Sequence, residues 1–215
     1  MAVKKKIIYR GAEAEILLSK YMNYKAVEKR RIEKGYRIKE LDHKLRSLRT
    51  KEEAKLMIEA RKSGVAVPII YDVDLENYTI TMEYLEGKRL KDILNNVSEK
   101  ERKKLCKMIG ENIARLHSNN IIHGDITTSN MILFDGKIHF IDFGLGEINS
   151  EIEAKGTDLH VLMEAFEATH FKYPNCFDYV LQGYKSILKE DAEPIIRKIE
   201  EIVKRGRYRW KYFIL

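Results

Sequence analysis

The spacing of apolar positions changes part-way along the chain. In the first 85 residues, short runs rich in Ile, Tyr and Val recur at 7–9, 15–18, 24–27, 69–74 and 78–83, and each predicts a strand. Between the third and fourth runs, Thr50-Lys51-Glu52-Glu53 has the spacing of a capping box. Ala54, Met57, Ile58 and Arg61 follow at helical spacing, so a helix is expected to open at Thr50 and to stop at Gly64. After Gly87 the apolar period lengthens. Ser98 and Glu101 form a second capping box, and Leu105, Met108, Ile109, Ile113 and Leu116 then share one helical face. Two short strands at 131–134 and 137–141 flank Asp135-Gly136, a strong hairpin signal. Helices are expected at 157–168, 177–188 and 192–204, with Pro194 in the tolerated first turn of the last. The pattern is α+β: a strand-rich lobe over 1–85 with one helix, then a helical lobe over 86–215. No repeat or Ser/Gly-rich linker separates them.

Composition narrows the class. The chain has 215 residues, 44% hydrophobic and 9% aromatic, with only three prolines, which excludes collagen, low-complexity disorder and a disulfide scaffold. No apolar run approaches the roughly 20 residues of a membrane span. The start, MAVKKKIIYRG, lacks the apolar stretch of a signal peptide, so a soluble, unexported, cytoplasmic protein is expected. Cys106 and Cys176 have no Cys or His neighbour at metal-ligand spacing and read as buried thiols rather than a zinc site. The net charge of +7 is unevenly spread. Residues 20–62 carry +8 and residues 197–211 carry +5, whereas 63–196 carry −8. An acidic middle between basic ends suits cations in one place and polyanions in another.

The chemistry concentrates in one stretch. His123-Gly124-Asp125 runs on to Thr127-Thr128-Ser129-Asn130, and Asp142-Phe143-Gly144 begins twelve residues after Asn130. The pair of motifs, H-x-D-x-x-x-x-N then D-F-G across a hairpin, resembles the signature of protein-kinase-like phosphotransferases and implies a two-lobed kinase-like fold. Asp125 can accept the proton of an attacking hydroxyl or water. Asn130 and Asp142 offer the oxygen ligands that Mg²⁺ requires. Such a fold needs a strand lysine paired with a helix glutamate to hold ATP phosphates. Ala26-Val27-Glu28-Lys29 supplies the lysine. Glu53 is the favoured glutamate, although it also completes the Thr50 capping box; Glu52 and Glu59 are the alternatives. Met82-Glu83-Tyr84-Leu85 reads as the hinge, where backbone groups of Glu83 and Leu85 would meet adenine.

Three usual kinase features are missing. The phosphate-covering turn is Gly11-Ala12-Glu13-Ala14, with one glycine where three are usual. Gly124 stands where an arginine normally precedes the catalytic aspartate, and no A-P-E follows Asp142-Phe143-Gly144. Only 71 residues follow Gly144, too few for a full activation segment and peptide-docking helices. With these absences, several stretches are similar to the small atypical kinase subunit of the KEOPS complex, the PRPK family. They include Lys34-Gly35-Tyr36-Arg37, Leu41-Asp42, Arg49-Thr50 with Glu53-Ala54, His123-Gly124-Asp125, Lys155 with Asp158-Leu159, and Arg205-Gly206-Arg207. Glu28 and Tyr208 depart from that pattern.

The resemblance implies an Mg-ATP-dependent serine/threonine kinase or ATPase that supports threonylcarbamoyl adenosine formation on tRNA. It also implies two partners, a threonylcarbamoyltransferase subunit and a small regulatory subunit that docks on the N-lobe. The 37–62 surface and the 205–211 tail, with Arg205, Arg207 and Arg209, are then candidates to contact tRNA phosphates or an acidic partner surface. Tyr208, Trp210, Tyr212 and Phe213 interleave with that tail and favour an ordered contact. The rival readings are a small-molecule phosphotransferase of the aminoglycoside or choline type, and a nucleotide-dependent binding module.

Overall fold

The computed structural model describes residues 6–211, with side chains through Arg205. Five strands form one antiparallel sheet: β1 (Lys6–Arg10), β2 (Ala14–Tyr21), β3 (Tyr24–Arg31), β4 (Ile70–Asp74) and β5 (Thr79–Glu83), in the order β1-β2-β3-β5-β4. All five fall on the predicted apolar runs; β1, β2 and β3 extend beyond them, and β4 and β5 each start one residue later. β3 is central, with Lys29 opposite Ile16 on one side and Ile80 on the other. One face of this sheet is covered by α1 (Lys39–Lys62), which buries Thr50, Glu53, Ala54, Leu56, Met57 and Ala60.

That helix corrects the sequence reading at its start. It opens at Lys39, eleven residues before Thr50, with the Asp42 N–H donating to Ile38 O at 2.9 Å. Thr50 lies mid-helix and its Oγ1 donates to Arg46 O at 2.8 Å, so it caps nothing. The i, i+3 spacing of a capping box is also the spacing of two residues on one helix face. Thr50 and Glu53 are that second case, both turned toward the sheet. Glu53 is thereby released from the capping role that competed for its carboxylate. Gly64 ends the helix as expected, with bonds from Gly64 N to Arg61 O and from Val65 N to Ala60 O, both 3.1 Å.

The second lobe begins with β6 (Lys88–Arg89) and the short α2 (Leu90–Ile93). Then comes α3 (Glu99–Ser118), capped by Ser98 Oγ accepting from Glu101 N at 3.3 Å. The strands β7 (Ile121–Ile122), β8 (Met131–Phe134), β9 (Lys137–Phe140) and β10 (Glu147–Ile148) follow. β8 and β9 form the predicted hairpin, with Asp135 and Gly136 both at positive φ (48° and 69°), as a two-residue turn matching the strand twist demands. Three helices complete the lobe: α4 (Ile152–Thr169), α5 (Cys176–Leu188) and α6 (Ala192–Lys211). Cys106 and Cys176 are buried free thiols. Among the described residues, no helix is long and apolar enough to cross a membrane.

The lobes share one core. Met57, Val65 and Ile80 from the first lobe join Leu90, Leu105, Ile109, Phe140 and Phe143 from the second in a single buried cluster. The Phe140 N–H donates to Ala66 O at 2.9 Å, tying the linker after α1 directly to the hairpin. In the second lobe α3 and α5 touch backbone to backbone. A Cβ on Gly110 would lie 1.9 Å from Val180 O, and one on Gly183 would lie 2.1 Å from Lys107 O. Each glycine makes room for the other helix. Gly110→Ala is therefore expected to destabilise the protein by about 3 kcal/mol, the upper range for overpacking. Gly35→Ala, with nothing within 4 Å of its Cβ, should leave stability within about 1 kcal/mol. Urea midpoints of the two variants check both values.

Candidate active site

A cavity of about 710 Å³ opens between the sheet and the second lobe. The turn Gly11-Ala12-Glu13-Ala14, the strand lysine Lys29, the hinge residues Glu83 and Leu85, and Asp125, Asn130 and Asp142 all line it. Glu53 stands behind Lys29. Its Oε1 is 2.5 Å from Lys29 Nζ, and its side chain is 1% exposed. The alternatives are elsewhere: Glu52 is exposed, and Glu59 pairs with Lys62 on the helix surface. Lys29 Nζ also lies 2.6 Å from Asp142 Oδ1. Burial alone would push the lysine's pKa down, but Glu53 and Asp142 outweigh it and hold the pKa above the ordinary value. Burial likewise pushes Asp142 up, and Lys29 with the Gly144 N–H pulls it below the usual carboxylate range. Asp142 sits at φ +65°, a left-handed conformation that costs an aspartate of order 1 kcal/mol and that these contacts sustain.

Arg31 was not anticipated. Its Nη2 lies 2.7 Å from Glu53 Oε2, so the glutamate is clamped between two cations. The signal was present, since residues two apart in a strand point to the same face. Lys29 and Arg31 are such a pair on β3.

The loop carrying Asp125 is held from beneath. Asp158 on α4 accepts from the His123 N–H and the Gly124 N–H, each at 2.9 Å, through its two carboxylate oxygens. His117 Nε2 approaches Asp158 Oδ2 at 3.3 Å, and its Nδ1 meets Tyr184 Oη at 2.8 Å. Burial raises the Asp158 pKa, and His117 and His123 more than reverse it, so the group is a carboxylate at neutral pH. His123 is fully buried against Phe143, with ring centroids 4.5 Å apart. Burial lowers its pKa, so it is neutral, with Nε2–H donating to Ile141 O at 3.1 Å and Nδ1 accepting from the Asp125 N–H at 3.3 Å. Further along, Thr128 Oγ1 meets His170 Nε2 at 3.0 Å, and His170 Nδ1 meets Asn95 Oδ1 at 2.7 Å. No local sequence signal marks His117 or His170 for these contacts, and Asp158 was singled out only as part of the family resemblance, without a role.

Asn130 Nδ2 donates to both the backbone O and the Oδ2 of Asp125, each at 2.9 Å. This leaves the Asn130 amide oxygen as a hard neutral donor in the cavity that Asp142 also lines. No cluster of three or more His, Cys, Asp or Glu suited to a metal occurs among the described residues. A nucleotide-bound Mg²⁺ needs only one or two protein oxygens besides phosphate and water, and Asn130 with Asp142 fits that requirement.

Gly124 has a structural reason to be glycine. Its φ is +81°, and a Cβ there would lie 2.2 Å from Leu145 O. No arginine fits without moving the backbone. After Gly144 the chain pairs β10 with β7 and enters α4 through residues 145–151 alone. No activation segment intervenes. Among the tail residues, Arg205 pairs with Glu153 on α4 at 2.7 Å. Arg207, Tyr208, Arg209 and Trp210 lie outside the residues with described side chains, and Tyr212 and Phe213 outside the described residues.

The protein kinase domain family matches residues 17–173. The KEOPS complex subunit Bud32 of Pyrococcus abyssi is 49% identical over 97% of this chain and 99% of its own length. The chain belongs to the Bud32 family. Other Bud32-like sequences occur inside longer proteins. The probable bifunctional tRNA threonylcarbamoyladenosine biosynthesis protein of Methanobrevibacter smithii is 48% identical over 94% of this chain, which spans only 36% of that relative. Among solved structures, the Rio2 kinase complex with ADP, Mg²⁺ and phosphoaspartate from Chaetomium thermophilum aligns with a TM-score of 0.59, 17% identity, and coverage of 93% and 70%. WaaP in complex with acyl carrier protein aligns at 0.62 with 13% identity, covering 94% and 89%. These two establish a kinase-like fold for this chain and nothing finer. That fold and the Bud32 relationship support a kinase-like role in a KEOPS-type complex that forms threonylcarbamoyladenosine on tRNA.

Two outcomes test this geometry. Asp158→Asn keeps the volume but loses one of the two carboxylate acceptors, so a stability loss of about 1–3 kcal/mol is expected by urea denaturation. The Lys29–Asp142 pair should respond to acid. A carboxylate with a lowered folded pKa contributes stability above its unfolded value of about 3.9 and loses it as pH falls through the folded value. The wild type should therefore lose more stability than Asp142→Asn between pH 5 and pH 2 (roughly the window this depressed pKa sets). Parallel acid-side denaturation curves would refute this.

Proposed function

We propose that this chain binds Mg-ATP in the cavity and hydrolyses its terminal phosphate in the service of tRNA threonylcarbamoylation. The observation that carries the reading is the convergence of the Lys29–Glu53 pair, the Asp125–Asn130 pair and Asp142 on one cavity. Lys29, held straight by Glu53, meets the α- and β-phosphates, and the backbone of Glu83 and Leu85 meets the adenine. The turn at Gly11, Ala12, Glu13 and Ala14 covers the phosphates. Asn130 and Asp142 hold Mg²⁺. When bound, the ion neutralises the charge that develops on the transferred phosphoryl group. Asp125 accepts a proton from the attacking water as the oxygen bonds to phosphorus and ADP leaves. Asn130 fixes Asp125 for that task through one bond to its carboxylate and one to its backbone oxygen.

Hydrolysis is favoured over serine/threonine phosphorylation by the passage after Gly144. Residues 145–151 lead straight into α4, and Gly124 has no room for the arginine that would read an activation-loop phosphate. A peptide finds little to dock on there. The relatives named bifunctional carry this stretch in about a third of their length, which supports a working partner in the remainder. We assign that place to a threonylcarbamoyltransferase subunit, with a small regulatory subunit on the first lobe, tRNA reached through the complex, and a cytoplasmic setting.

Asp125→Ala is expected to lower ATP turnover by about 10²–10⁴-fold, as loss of a general base does, with nucleotide affinity little changed. Turnover within twofold of wild type would remove Asp125 from this role. Turnover is measured for the chain alone, then with a threonylcarbamoyltransferase partner and tRNA. Phosphate release that rises only with tRNA supports the proposal. Phosphorylation of a small alcohol, indifferent to partner and tRNA, would instead make this a small-molecule phosphotransferase.

A further inference from the structure

The phosphate-covering turn is tied down on its outer side by arginines. The Glu13 carboxylate contacts Arg49 Nη1 directly and lies 3.7 Å from Arg31 Nη1 and 3.8 Å from Arg37 Nη2. Three guanidinium groups thus converge on one carboxylate that a single arginine would satisfy. Two of them are built in. The Arg31 side chain is 5% exposed and anchored to Glu53, while Arg37 is 16% exposed and lies 3.5 Å from Asp42, which also pairs with Arg46 at 2.6 Å. Glu13, by contrast, is 44% exposed. The turn's backbone is fastened separately, by Gly11 N to Ala14 O at 2.9 Å, Ile32 N to Glu13 O at 3.1 Å, and a bond from Lys34 Nζ to Ala12 O. The Glu13 side chain can therefore swing out while the turn and the arginines stay in place.

A fork of guanidinium groups suits phosphate oxygens as well as carboxylate oxygens, and a dianion with three free oxygens matches three arginines better than one carboxylate does. Both Glu13 and Arg31 line the cavity that holds Lys29. The geometry points to a receptor for a phosphate dianion at Arg31, Arg37 and Arg49, which Glu13 fills as an internal stand-in and vacates when phosphate arrives. The source of that dianion rests on the ATP-hydrolysing reading above. It is either the phosphate released by hydrolysis, held briefly before it leaves, or the terminal phosphate of the bound nucleotide.

The test is calorimetric titration of the full chain, which needs no turnover. Glu13→Gln removes the internal competitor but keeps its shape, and is expected to bind inorganic phosphate about tenfold more tightly than wild type in the presence of saturating Mg-ADP. That gain should vanish in the double variants Glu13→Gln/Arg49→Ala and Glu13→Gln/Arg37→Ala. If the nucleotide's own phosphate is the ligand, Glu13→Gln instead gains about tenfold for a non-hydrolysable Mg-ATP analogue relative to Mg-ADP, and gains nothing for free phosphate. Unchanged affinities for both probes, with thermal melting confirming a folded variant, would overturn the receptor. So would a gain that survives loss of the arginines. ATP turnover of the wild type is measured beside the titrations. Its absence, with the phosphate gain intact, would count against hydrolysis and not against the receptor.

Discussion

The Glu53 carboxylate lies between two cations of one strand, and the geometry of the cavity follows from that clamp. Lys29 and Arg31 stand two residues apart on β3 and share a face. Each takes one oxygen of Glu53, at 2.5 Å and 2.7 Å, so neither helix nor strand can slide without breaking a buried ion pair. Breaking such a pair from one side costs about 3–5 kcal/mol, because the remaining charge stays buried. The clamp is not a dead end. Lys29 reaches on to Asp142 and Arg31 reaches on to Glu13, so Asp142 and the Gly11–Ala14 turn are both tied to the same carboxylate.

A second anchor positions the opposite wall. Asp158 is a buried acceptor for two consecutive backbone N–H groups, and that geometry forces the loop to turn sharply at Gly124. The turn sets His123 inward against Phe143 and Asp125 outward into the cavity. His123 of the signature therefore packs inward, while Asp125, two residues on, faces the cavity. The two anchors meet at Asp142-Phe143-Gly144, where Asp142 answers to Lys29 and Phe143 to His123. These three consecutive residues thus join the two anchors, within lobes that already share one buried core.

Legibility in the sequence followed the range of the interaction. Local rules found the strands, the Ser98 cap and the Asp135-Gly136 turn, because each is decided by residues a few positions apart. The motif residues were legible for another reason: their spacing is set by chemistry that needs those atoms together. The start of α1 was misread because Thr50 and Glu53 satisfy two local rules at once, and tertiary burial chose between them. Arg31 and Asp158 went unassigned because their partners lie on other elements, twenty-two and more than thirty residues away. Periodicity puts a charge on a buried face but does not say what neutralises it there.

The uneven charge acquires a partial account from the same contacts. Part of the basic charge over 20–62 is paired within the protein. Arg31, Arg37, Arg46 and Arg49 face Glu13, Asp42 and Glu53 rather than solvent. These cations outnumber the carboxylates they meet, and a surplus of positive charge beside a phosphate turn is unfavourable until an anion arrives. A glycine-rich turn binds phosphate through flexible backbone; this turn has one glycine, its backbone is held by its own hydrogen bonds, and arginines meet its Glu13 side chain. Fixed charge beside the turn fits the phosphate receptor proposed above. The single glycine of the turn and the direct passage from Gly144 into α4 go together in this respect: both leave this side of the cavity to short, hydrogen-bonded backbone.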